Sequence, residues 1–132
     1  MALGARIGNP DRPVFCVVGD GGFGHAWSEM ETARRHDIKV VVAVMNNAVL
    51  GYQKHAEDAM LGRHTNVCDF APVDHAAIAR ACGLKGIRVT RVEEIAPAIK
   101  EAMAADTAVL IDVVADPDAM PPVTVFTRLP NY

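Results

Sequence analysis

Strand-length apolar runs alternate with helical patterns along this chain, and two of the runs end on polar clusters. Val14-Phe15-Cys16-Val17-Val18 leads into Gly19-Asp20-Gly21-Gly22, and the Val-rich run 39–45 leads into Asn46-Asn47. Between them, residues 24–35 carry helical spacing, with Trp27, Met30 and Ala33 or Arg34 on one side. The run 39–45 is continuous rather than alternating, as in a strand buried on both faces. A long stretch to about residue 72 follows and reads as irregular. A helix is then expected from an Asp74 N-cap to Gly83, a short strand over 86–90, a helix over 93–105 and a buried strand over 108–114. The succession β-α-β-loop-α-β-α-β predicts an α/β fold, a mostly parallel sheet with right-handed crossovers and helices on both faces.

The 132 residues suffice for one domain with a real core, and an apolar fraction of 51% with 22% charged residues is that of a folded chain. The formal net charge of -3 gives no basic footprint for nucleic acid, and Arg34-Arg35 is the only adjacent basic pair. No apolar run approaches the roughly 20 residues of a membrane helix. The N-terminus lacks the basic-then-apolar pattern of a secretory signal. Cys16, Cys68 and Cys82, an odd number without paired spacing, read as free thiols of a cytoplasmic protein. Residues 1–6 read as the last turns of a helix ended at Gly8-Asn9-Pro10. A start in mid-helix is expected of a fragment of a longer polypeptide, or of a later start codon. Residues 117–132 carry four prolines and no periodicity, and are expected to form a tail outside a domain spanning 1–116.

Ligands in open parallel sheets bind beyond the carboxyl ends of the strands. If the first two strands are neighbours, Asp20 and Asn47 face one another across that rim. One carboxylate and one amide oxygen beside Gly19, Gly21 and Gly22 suit a hard divalent cation carrying a phosphate or diphosphate. Such a site has one formal charge and binds metal together with an anionic cofactor rather than as a closed cage. A helix beginning near Phe23 is expected to point its N-terminus at that anion. Each cluster also has an ordinary reading: a strand-to-helix turn with a capping aspartate, and a polar loop start. Five histidines, at 25, 36, 55, 64 and 75, match no zinc spacing, and Trp27 reads as core or interface. No nucleotide-binding glycine motif occurs.

The spacing Gly19-Asp20-Gly21, then 24 residues, then Asn46-Asn47 resembles the cofactor motif of thiamine-diphosphate-dependent enzymes. The run GDGGFGHAWSEMETARRHDIKVVVAVMNN is similar to the C-terminal cofactor-binding domain of the acetolactate synthase and 2-oxoacid decarboxylase group. PVDHAAIARACG and VLIDVVADPDAMPP extend the likeness to acetolactate synthase large subunits over residues 1–122. The resemblance implies magnesium held by Asp20, Asn47 and the backbone carbonyl of Val49. It implies thiamine diphosphate against Gly19, Asp20, Gly21, Gly22, Asn47, Leu50, Gly51 and Tyr52, with backbone N–H groups of Gly21 and Gly22 on the diphosphate. Glu29 matches a glutamate common in the motif's helix, for which a packing or hydrogen-bonding role is expected.

The implied chemistry is decarboxylation of a 2-oxo acid such as pyruvate and transfer of the acyl unit to a second carbonyl compound. The family's catalytic glutamate comes from a separate domain, usually of a neighbouring subunit, so the chain alone is expected to be inactive. The implied partners are the pyrimidine-binding and central domains of a parent enzyme, in a homo-oligomer. Three other readings stay open: a 2-oxoacid or acyl-CoA-linked decarboxylase domain, an inactive binding or assembly module, and a flavodoxin-like domain with a coincidental motif. His25, His55 and His64 carry no assigned role; His55 and His64 lie in the long segment, which is expected to be a lid or a substrate-facing loop.

Overall fold

The computed structural model describes residues 1–119. Four parallel strands, β1 (Phe15–Gly19), β2 (Val41–Asn46), β3 (Lys85–Val89) and β4 (Val109–Val114), form one sheet in the order β1-β2-β4-β3. The helices are α1 (Ala2–Gly8), α2 (Asp20–Gly24), α3 (Glu29–Arg35), α4 (Gly51–Leu61), α5 (His75–Ala81) and α6 (Ile95–Ala104). Short 3-10 turns occupy Asn66–Cys68 and Val92–Glu94. The expected tail lies, from residue 120 onward, outside the described residues.

Apolar side chains fill both faces of the sheet. On one, Met30 and Ala33 of α3 and Ala76 and Ala79 of α5 meet Val40, Val42, Val44 and Leu110. On the other, Ala98 and Ala102 of α6 meet Val41, Val89, Val109, Ile111 and Val113. Small residues on α5 let it approach closely. A Cβ added to Gly86 of β3 would lie 2.1 Å from the Ala76 carbonyl oxygen, so only glycine fits there. The expected caps of α5 are present: the Asp74 carboxylate accepts from Ala77 N–H at 2.8 Å, and Gly83 turns the chain at φ +77°.

Two local features differ from the sequence reading. The helix expected over 24–35 is two short helices, α2 starting at Asp20 itself, with a turn between them. The segment read as irregular to residue 72 contains the 11-residue α4. That helix opens on glycine and presents mostly polar residues, so no apolar stripe betrays it. The first strand is only half covered. Phe15 and Val17 are exposed on the open side of an edge strand, while Cys16 and Val18 face the core.

Candidate functional site

β1 and β2 are neighbours, paired in register from Phe15↔Val41 to Gly19↔Met45, so the loops that follow them emerge side by side. Between these loops lies a cavity of about 590 Å3. Its lining includes Gly19, Asp20, Gly21 and Gly22 from the first loop and Asn47, Val49, Leu50, Gly51 and Tyr52 from the second. The residues that the resemblance assigned to magnesium and the diphosphate thus meet at one place.

Asp20 is buried, and its carboxylate ties the two loops together. Oδ1 accepts from Gly21 N–H at 2.8 Å and Oδ2 from Ala48 N–H at 2.7 Å. The Gly21 N–H, expected to be free, is therefore engaged by its neighbour. α2 has only five residues, too few for much macrodipole, so local N–H groups rather than a long helix set the charge here. Ala48 sits at φ +56°, a strained conformation for a residue with a Cβ. That turn sends Asn47 and Val49 towards the cavity. Leu50 N–H donates to Cys68 O at 2.8 Å and Phe70 N–H to Ala48 O at 2.8 Å, which fastens the loop to residues 68–70.

The two asparagines divide their tasks. Asn46 is buried, and its amide donates to Val73 O and to Asp112 Oδ1, both at 2.8 Å. Asn47 lines the cavity, and its Oδ1 accepts from Val49 N–H at 3.3 Å. Asp112, wholly buried on β4, also accepts from His75 N–H at 3.0 Å and from Arg88 Nη1 at 2.5 Å. One carboxylate thus joins the end of β2, the start of α5 and Arg88 near the end of β3. The sequence reading passed over Asp112 inside the run Val-Leu-Ile-Asp-Val-Val. An acid in a fully apolar strand was the available signal, since burial demands partners for it.

The remaining singled-out residues lie elsewhere. Glu29 is exposed in the first turn of α3, where it lines a cavity with Phe23 and Met30, and His25 is exposed beside α2 and lines a neighbouring cavity with Asp20 and Gly21. Trp27 is part-exposed and donates from Nε1 to His75 Nδ1 at 3.2 Å. His55 is buried on α4 with Nε2 3.2 Å from Ala119 O. His64 bridges Asp58 and Asp69 at 2.9 and 3.3 Å. Hydrogen bonding to Asp58 raises the His64 pKa and lowers that of Asp58. No cluster of three or more His, Cys, Asp or Glu side chains suited to a metal occurs among the described residues, and no helix among them is long and apolar enough to cross a membrane.

Residues 1–113 match the family model for the thiamine pyrophosphate enzyme, C-terminal TPP binding domain. The chain belongs to this family. It is 36% identical over 101 residues to the sulfoacetaldehyde acetyltransferase of Castellaniella defragrans, covering 76% of this chain and 17% of that protein. It is 33% identical over 122 residues to the acetolactate synthase large subunit IlvG of Mycobacterium tuberculosis, covering 92% of this chain and 22% of that one. The thiamine diphosphate-dependent 4-hydroxybenzoylformate decarboxylase of Rhodococcus jostii RHA1 superposes with a TM-score of 0.81 at 30% identity, over 87% of this chain and 22% of that one. The chain thus spans about a fifth of the length of these thiamine pyrophosphate enzyme relatives. The α/β fold, its parallel sheet and the cofactor family implied by the glycine and asparagine clusters are the ones found.

Proposed function

We propose that the cavity between the β1 and β2 loops holds the diphosphate end of thiamine diphosphate through magnesium. The chain would then be the cofactor-binding part of an acetolactate-synthase-like enzyme. The observation that carries this reading is the meeting of Asp20, Asn47 and Val49 with Gly21 and Gly22 around one cavity. The donor set fits: a carboxylate, an amide oxygen and a main-chain carbonyl are the hard oxygens magnesium takes, and a diphosphate and water complete its shell.

When bound, the cofactor supplies the electron sink for decarboxylating a 2-oxo acid and passing on the acyl unit. The chain's own residues bind and orient. Asp20 would hold the ion, and by accepting from Ala48 N–H it holds the loop that presents Asn47 and Val49. Leu50, Gly51 and Tyr52, which line the same cavity, would stand beside the diphosphate. The catalytic glutamate, the pyrimidine-binding domain and the central domain belong to the rest of a cytoplasmic parent homo-oligomer, so this chain alone turns over no pyruvate. The likeness to a 4-hydroxybenzoylformate decarboxylase favours a second reading, a decarboxylase without acyl transfer.

Calorimetry with thiamine diphosphate and magnesium tests the site. Asp20→Asn keeps an acceptor for Ala48 N–H and removes the only charge among the proposed ligands. It is expected to weaken magnesium-dependent binding more than Asn47→Ala does. Equal and negligible losses in two folded variants refute the metal assignment. Carbon dioxide release from pyruvate by the isolated chain refutes its dependence on other domains.

A further inference from the structure

A second cavity, of about 420 Å3, lies on the other side of Gly21 from the proposed cofactor cavity. Trp27 and Phe70 contribute aromatic walls, Leu50 and Val73 aliphatic ones, and His75 lines it as well. Leu50 and Phe70 close on Gly21 so tightly that an added Cβ would lie 3.0 Å from each. The two cavities therefore share a wall, and Asp20 and Gly21 line both.

His75 is 2% exposed and held from three directions. Its backbone N–H donates to Asp112, and its ring meets Phe23 edge-on with centroids 5.5 Å apart. Its Nδ1 accepts from Trp27 Nε1. An indole nitrogen only donates, so Nδ1 carries the lone pair and the ring proton sits on Nε2. Nε2–H has no partner among the described residues. His75 lines this cavity, so Nε2–H is the ring donor available to a molecule bound there. A fixed donor thus faces a largely apolar, aromatic space. No lysine or arginine lines that space, and Asp20 does.

We propose that this cavity binds an uncharged aromatic compound bearing one hydrogen-bond acceptor, its ring between Trp27 and Phe70 and its acceptor on Nε2–H of His75. Aromatic walls favour a flat ring, the donor selects an acceptor, and the Asp20 carboxylate, with no lysine or arginine beside it and His25 and His75 the only basic side chains in the lining, selects against a carboxylate. The proposal goes beyond the cofactor reading and does not need it.

Trp27 is the only tryptophan in the chain, so its fluorescence reports on the cavity directly. Benzamide, titrated into the full chain without thiamine diphosphate or magnesium, is expected to give a saturable change. Toluene, which lacks the acceptor, and benzoate, which adds a charge, are each expected to bind about fivefold to tenfold more weakly, the worth of one hydrogen bond. His75→Asn keeps an acceptor near the Nδ1 position for Trp27 and withdraws the donor from the Nε2 position, its own amide N–H2 falling short of it, and should cost benzamide a similar factor at unchanged melting temperature. Should that variant fold poorly, Ala71→Leu, which fills the space from its wall, is expected to abolish saturation. A linear, non-saturating response to benzamide, equal affinity for toluene, or undiminished binding by either folded variant overturns the proposal.

Discussion

At the scale of single residues, buried oxygen atoms organise this molecule. Asp112 accepts from Asn46, from His75 N–H and from Arg88, three groups that are far apart in sequence. Asp112→Ala leaves a half-buried guanidinium, a backbone donor and a buried amide without that acceptor. The expected loss is about 3–5 kcal/mol, measured by urea unfolding, with Asp112→Asn losing less because it keeps one acceptor oxygen. A loss below about 1 kcal/mol for the alanine variant would contradict the clamp. Gly86 is decided by space alone. Gly86→Ala drives a Cβ into the Ala76 carbonyl, so β3 and α5 must separate, at an expected cost of at least about 2 kcal/mol. An alanine variant as stable as the parent would show that α5 shifts freely.

At the scale of elements, α4 and the loop after it act together. Glu57 accepts from Thr65 N–H at 2.7 Å and from the Thr65 hydroxyl at 3.0 Å, and donation from Gln53, Thr65 and Cys68 holds its carboxyl below the usual range. His64 ties the same loop to Asp58 of α4, which Lys54 also meets, and to Asp69, which bridges to Val49 beside the proposed cofactor cavity. The raised His64 pKa gives support that is full below the ordinary value of 6.5 and fades as pH rises through the higher folded value. The lowered Asp58 pKa gives support that is full above 3.8 and fades as pH falls through the lower folded value. The clasp is therefore firmest between those two ordinary values and loosens on the alkaline side first under laboratory conditions. Amide exchange of residues 64–69 is expected to quicken over the interval above pH 6.5, and His64→Leu to abolish that dependence. Protection in the parent that stays level across this interval, after correction for intrinsic exchange, argues against the clasp.

At the scale of the whole molecule, the sheet has one well-covered end and one open one. α6 covers the β3–β4 side, while Phe15, Val17 and Met45 stay exposed on the same face at the β1 edge. A contiguous apolar strip on an edge strand favours association. Sedimentation velocity is expected to show concentration-dependent self-association that Val17→Lys reduces. A monomer at all concentrations would argue against it.

Much of the candidate site was legible because its residues are local to strand ends. The glycine cluster and the asparagine pair each follow a recognisable apolar run, and one crossover sets them side by side. α4 was not legible, since its support comes from side-chain bonds to its own loop rather than from an apolar stripe. The two-part break between α2 and α3 was hidden too, because helical spacing continues across the turn.

Alternation of apolar runs and helical patterns determined, by itself, a parallel α/β sheet and the rim on which Asp20 and Asn47 meet. Periodicity is a property of neighbouring residues and survives without knowing what they pack against. Only the tertiary structure decided that Asn46 turns inward to Asp112, that Leu50 and Phe70 wall off a second cavity, and that Trp27 fixes the proton on His75. Those outcomes rest on contacts between residues 20 to 66 positions apart, and no local pattern encodes which distant partner satisfies a buried polar group.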